Sequence, residues 1–166
     1  GINFIDTAES YNDGHSEEAV GKAVKGRRDK VIIATKFGNP RSAGLDNQGG
    51  SRRYVMAAVD ASLKRLDTDY IDLYYLHYHD VNTPIEETLR ALNEIIRTGK
   101  ARYIACSNFP AWELADATWT AKTCNLNPFI AVQMKYNLLE RSVEQEVVPC
   151  CVEHGVGVIP WGPLAA

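Results

Sequence analysis

Nowhere in this sequence do apolar residues run for the roughly 20 positions that a membrane helix requires. Neither sign of charge dominates, since 18 Lys and Arg against 21 Asp and Glu leave a net charge of −3. That balance gives no electrostatic grip on nucleic acid or an anionic membrane, and neither is expected as a partner. No signal-peptide pattern is visible, although the chain opens on Gly1 rather than Met, which leaves room for an upstream segment. Cysteine is scarce. Cys106, Cys124, Cys150 and Cys151 do not make a disulfide framework, because adjacent Cys150 and Cys151 cannot bridge without strain. They read as reduced, partly buried thiols of a cytoplasmic protein. Cys150, Cys151 and His154 could form one edge of a metal site, but no second ligand pair at metal spacing accompanies them, and no metal is expected. Also absent is any Gly-x-Gly-x-x-Gly turn after a strand, which counts against a dinucleotide-binding doubly wound sheet.

What is present is a regular alternation of strand and helix signals across 166 residues, the size of one domain. Ile2, Phe4 and Ile5 predict a short strand ending at Asp6. Ser16 is then expected to cap a helix with Ala19, Val20, Ala23 and Val24 on one face, closed by Gly26. Val31–Ala34 is a short β-branched run of the kind found in strands covered on both sides. The longest loop, Asn39 to Ser51, is rich in Gly, Asn and Ser, and loops of such length are often functional. Val55, Met56, Val59, Leu63 and Leu66 mark the next helix, and Tyr70–Leu76 the next strand. Thr83, Pro84 and Glu86 predict a capping box for a helix with Leu89, Leu92, Ile95 and Ile96 inward and Gly99 after its end. A strand from Ala101 to Cys106, a helix from Pro110, and a strand from Phe129 to Val132 follow. A helix carrying Val143, Val147, Val148 and Cys151 and a strand from Val156 to Ile159 complete the series. Six strands and five helices imply an α/β fold, either a doubly wound sheet or a (β/α)8 TIM barrel.

The strand ends favour the barrel. In succession they deliver Asp6, Lys36, His77, Ser107 with Asn108, Gln133, and Trp161. In a barrel such ends converge on the face where active sites lie. A barrel has eight strands and about 250 residues, so strands before Gly1 and after Ala166 are expected to be missing. Residues 1–166 are thus expected to form a single domain, the central portion of a barrel.

The strand ends and the loop after Asp6 bring together residue types suited to carbonyl reduction. Hydride arriving at a carbonyl carbon leaves charge on oxygen, and a proton must be donated there. A phenol, with an ordinary pKa of about 10, is a poor acid unless a nearby cation assists it. Lys36 can be that cation for Tyr11, Asp6 can keep Lys36 charged and placed, and His77 can orient the carbonyl or share the proton transfer. Taken singly, each has an ordinary explanation: a loop cap for Asp6, a packing aromatic for Tyr11, a solvated strand end for Lys36, a hydrogen-bonded imidazole for His77. His15 and His79 keep that ordinary reading.

Gly1–Tyr11, the Ser16-Glu17-Glu18 helix start, Ile33–Lys36, Asp69–His77 and Gly99–Ile104 through Ser107-Asn108-Phe109, in that order, resemble the signatures of the aldo-keto reductases. The resemblance covers essentially the whole chain. It implies an NADP-dependent oxidoreductase that reduces aldehydes or ketones on a TIM barrel, with Tyr11 as general acid, Lys36 and Asp6 as its pKa-lowering pair, and His77 as the fourth member. It further implies that Ser107, Asn108 and Gln133 hold the nicotinamide carboxamide and that Trp161 packs on the ring. The sequence departs from the common pattern at Tyr78-His79, at Met134-Lys135 and at Ala105-Cys106, the first of which alters the substrate rim. Choice of NADPH over NADH rests on the resemblance alone. The same resemblance admits a redox-sensing regulatory subunit of the potassium-channel β type, or a partial scaffold without activity.

Overall fold

The computed structural model describes residues 1–40 and 49–165, so most of the Gly/Asn/Ser-rich loop lies outside the described residues. The strands are β1 (Phe4–Asp6), β2 (Ile32–Phe37), β3 (Ile71–Leu76), β4 (Ala101–Ser107), β5 (Ala131–Lys135) and β6 (Gly157–Trp161). Between them run α1 (His15–Val24), α2 (Arg52–Leu66), α3 (Ile85–Arg97), α4 (Ala111–Thr123) and α5 (Val147–His154). All pairings are parallel, and the six strands lie side by side in chain order. A doubly wound sheet reverses its strand order part-way, and this one does not. The six strands curl into part of a (β/α)8 barrel.

Side-chain alternation sorts the strands onto two faces. Ile33, Phe37, Tyr74, Leu76, Ile104, Cys106 and Val132 join Val55, Val59, Leu89, Leu92 and Ile95 of the helices in the main core. Ala34, Leu73, Tyr75, Ala105 and Ala131, with Phe4 and Ile159, form a separate cluster on the opposite, concave side. Asp6, Lys36, Ser107, Gln133 and Trp161 each stand two residues beyond a member of that concave cluster. Period two therefore turns all five toward the inside of the curl.

The helices form for the expected reason, an apolar stripe against the sheet, but their caps differ from the sequence expectation. Ser16 does not cap α1. The cap position is Gly14, and Ser16 Oγ accepts a 2.7 Å hydrogen bond from Thr7 Oγ1. The capping box at Thr83 is also not formed, because Thr83 Oγ1 donates to Asp80 Oδ2 at 2.6 Å and Pro84 holds the cap position of α3. Val143 lies not in the last helix but in a separate 3-10 turn, Ser142–Glu144. Gly26 and Gly99 do follow the ends of α1 and α3 with left-handed φ of 77° and 78°.

Gly21 sets the distance between α1 and α2. A Cβ there would stand 2.5 Å from the Leu66 carbonyl oxygen and 2.7 Å from its carbon, both backbone atoms that cannot swing aside. Alanine is the better helix former by about 1 kcal/mol. Gly21→Ala is nonetheless expected to destabilise the fold by about 1–3 kcal/mol through overpacking, measured by urea unfolding. A stabilised variant would mean that α1 can move away from α2 at little cost.

Candidate active site

Lys36 is the fixed point of the site. Its side chain is fully buried, and its ammonium finds an oxygen for each of its three N–H groups. It donates to Asp6 Oδ2 at 2.5 Å, to the Thr7 carbonyl at 2.9 Å and to Tyr11 Oη at 3.2 Å. Asp6 ends β1 and Thr7 follows it, and the ladder with β2 continues past the strand's end as Thr7 N–H donates to the Ala34 carbonyl and Glu9 N–H to that of Lys36. Tyr11 opens a 3-10 turn, Tyr11–Gly14, that reverses the chain into α1. Asn12, Asp13 and Gly14 all take left-handed φ, of 50°, 52° and 88°, which suits these three residue types. The turn leaves Tyr11 40% exposed, with its hydroxyl directed to Lys36.

His77 follows β3 and is tied to β2, its N–H donating to the Phe37 carbonyl at 2.8 Å. Its ring meets Tyr11 edge-on, with centroids 5.9 Å apart at 77°, and stacks on Tyr78 at 4.9 Å. Its Nδ1 is buried and has no hydrogen-bond partner among the described residues. Burial, and secondarily the Lys36 charge, push the imidazole down to about 4, so it is neutral near neutral pH. The four residues Asp6, Tyr11, Lys36 and His77 thus meet at one point.

The other strand-end residues adjoin them. Gln133 Nε2 donates to Asp6 Oδ1 at 3.1 Å, and Ser107 Oγ to the Gln133 carbonyl at 3.0 Å. Asn108 adopts φ 60° and donates through Nδ2 to Ser107 Oγ at 3.1 Å and the His77 carbonyl at 3.2 Å. Trp161 is not core: its ring is partly exposed and its Nε1 donates to Asn108 Oδ1 at 3.1 Å. Hydrogen bonds and the Tyr11–His77 ring contact therefore join all eight sequence-selected residues. His15 and His79 stand apart, His15 on the surface beside Glu18, and His79 with Nδ1 2.9 Å from Glu113 Oε1 but out of hydrogen-bonding alignment.

Sequence reasoning missed Thr7, Glu9 and Tyr54. Thr7 acts through its backbone carbonyl, to which side-chain identity gives no clue. Glu9 Oε1 accepts from Gly38 N–H at 2.9 Å and from Tyr54 Oη at 2.6 Å, partners that only the folded chain brings near. The sole signal was a second carboxylate close after Asp6.

Comparison with known proteins gives the family of the chain. The profile of the Aldo/keto reductase family matches residues 1–166. The chain belongs to the aldo/keto reductase family. It is 42% identical to the versiconal hemiacetal acetate reductase of Aspergillus parasiticus, over 99% of this chain and 54% of that protein. It is 41% identical to a probable voltage-gated potassium channel subunit beta of Arabidopsis thaliana, over 100% of this chain and 52% of that one. Norsolorinic acid reductase B of Aspergillus parasiticus is 37% identical over 99% of the chain and 45% of its own length. The chain thus spans about half the length of these aldo/keto reductase relatives.

The state of His77 predicts a pH effect on stability. Above about pH 6.5 the imidazole is neutral whether the chain is folded or unfolded, and it contributes no pH dependence. As pH falls below that value the unfolded chain takes up the proton first, so stability is lost until pH passes about 4. His77→Gln is expected to show a shallower decline of the urea midpoint across that window. Equal slopes for parent and variant would show that His77 titrates normally.

Proposed function

We propose that this chain is the central part of an NADPH-dependent carbonyl reductase whose complete barrel reduces aldehydes or ketones to alcohols. The observation that carries the reading is the single buried ammonium of Lys36, held by Asp6 at 2.5 Å and touching the Tyr11 phenol at 3.2 Å, with the His77 ring against that phenol. Membership of a family that generally uses NAD(P)H, and the reductases among the relatives, support it.

The donor set fits a nicotinamide. Ser107, Asn108 and Gln133 offer a hydroxyl and two amides, hence both donors and acceptors for a carboxamide, and the partly exposed Trp161 ring offers it an aromatic face. When bound, the reduced cofactor supplies hydride to the carbonyl carbon. Tyr11 Oη donates the proton to the carbonyl oxygen as charge develops there. Lys36 stabilises the phenolate that this transfer leaves, and Asp6 keeps Lys36 charged and in place. Neutral His77 directs a ring nitrogen at the carbonyl and carries no competing charge beside Lys36.

A second reading is a cofactor-binding regulatory subunit, favoured by the similarity to the Arabidopsis channel subunit. The two separate on one measurement, NADPH oxidation by the protein with a panel of aldehydes and ketones. Turnover supports the reductase, whereas tight binding without turnover supports the sensor. Tyr11→Phe removes the proton donor and with it the acceptor of one Lys36 N–H, while leaving the nicotinamide-facing side chains in place. It is expected to lower kcat by about 10²–10⁴-fold while leaving NADPH affinity unchanged, read by cofactor fluorescence. Near-normal reduction by that variant would overturn the role of Tyr11.

A further inference from the structure

We infer that Glu9, with Tyr54, is a positioning residue for the acid–base group, acting as a clamp across the end of β2. The inference rests on the reductase reading for its kinetic consequence, but not for its structural one. Glu9 sits between Asp6 and Tyr11 on the loop that must deliver the phenol. It grips the chain at two points, one in β2 and one just past its end. Its backbone N–H donates to the Lys36 carbonyl at 3.0 Å, and its Oε1 accepts from Gly38 N–H at 2.9 Å. Between those points lies Phe37, fully buried, whose carbonyl receives the His77 N–H at 2.8 Å.

One bracket over three residues therefore fixes the backbone that carries Lys36, the anchor of His77, and the loop that carries Tyr11. The loop is further drawn in where Tyr11 N–H donates to the buried Ala8 carbonyl at 3.1 Å. Gly38 can present its N–H to Glu9 because its φ is 79°, and an added Cβ would press within 3.0 Å of Leu76 Cδ1 and 3.1 Å of the Gly49 carbonyl oxygen. Tyr54 comes from α2 and donates to the same Glu9 oxygen at 2.6 Å. A carboxylate with two donors on one oxygen has little freedom to rotate, so the bracket is rigid. Glu9 makes no hydrogen bond to Lys36 Nζ, Tyr11 Oη or His77 and acts only through what it holds.

The test uses the intact protein with Glu9→Ala, Glu9→Gln and Tyr54→Phe. Glu9→Ala is expected to lower kcat by about 10–100-fold, the cost of a displacement of about 1 Å at a reacting group, with NADPH affinity and carbonyl KM nearly unchanged. Glu9→Gln keeps an acceptor oxygen and is expected to restore most of kcat. Tyr54→Phe removes a single oxygen and is expected to fall between them, which keeps the idea testable if Glu9→Ala does not fold. A readout without substrate accompanies these: the ¹³Cζ NMR resonance of Tyr11, assigned by its loss in Tyr11→Phe. That resonance is expected to move in Glu9→Ala and Tyr54→Phe and to return in Glu9→Gln. An unmoved resonance overturns the clamp, whatever the activity. A moved resonance in a protein that never turns over supports the clamp and counts against the reductase reading instead.

Discussion

The structure around the strand ends depends on one buried cation. Taking an ammonium out of water costs several kcal/mol, and this is recovered only where each N–H finds an acceptor and a counter-charge stands close. Lys36 meets both conditions because β1 lies beside β2 in a register that pairs Asp6 with Ala34. That register sets the Asp6 carboxylate two residues before Lys36 and on the same face. Thr7 fills a second donor direction with its carbonyl. The third is left to Tyr11, so the position of the phenol follows from satisfying the lysine and not from any preference of tyrosine for the loop.

Packing supports this arrangement from the convex side of the sheet. Glu17 in α1 is fully buried, and accepts from Thr35 Oγ1 and Arg65 Nε, each at 2.6 Å. Thr35 precedes Lys36 and points the other way, so Glu17 joins α1 to α2 by an ion pair with Arg65 and to the strand that presents the lysine by a hydrogen bond from Thr35. Burial raises the carboxyl of Glu9 above the usual carboxylate range, while its hydrogen bonds to Tyr54 and Gly38 oppose that shift. A fully buried carboxylate, Glu17, thus holds β2 at Thr35, and a half-buried one, Glu9, holds the chain just past its end at Gly38.

Much of this was legible from local pattern. The strands announce themselves as short apolar runs, and the residue ending each run was polar in every case but the last, Trp161. Period two then carries those residues to one face once the strands are parallel and in order. Tyr11 was legible for a different reason, as a phenol one loop beyond Asp6 and within reach of a lysine; the left-handed backbone of Asn12, Asp13 and Gly14 in the turn that carries it is seen only in the folded chain. What escaped were features settled by distant partners. Ser16 looks like a cap until Thr7 captures it, and Thr83 until Asp80 does. Glu9 and Tyr54 are 45 residues apart, and nothing local to either one reveals the other.

The opposite ends of the same strands carry a second ionic cluster, which differs from the first in what it leaves accessible. Arg28 donates to Asp72, Thr68 Oγ1 and the carbonyls of Val31 and Tyr70, while its guanidinium and that of Arg102 lie about 4 Å from the Tyr70 ring, at 4.0 and 4.1 Å. There every Arg28 nitrogen is engaged within the protein, and both partners of the pair are largely covered, at 17% and 14% exposed. Such a cluster can staple strands and has nothing to offer a substrate. At the other end the cation is sealed, but its carboxylate and phenol partners reach the surface, the Asp6 side chain at 32% and Tyr11 at 40%. A buried charge whose partners stay accessible can influence a proton at the surface without meeting solvent itself. That condition holds at the C-terminal ends of these strands, the face on which barrels place their active sites.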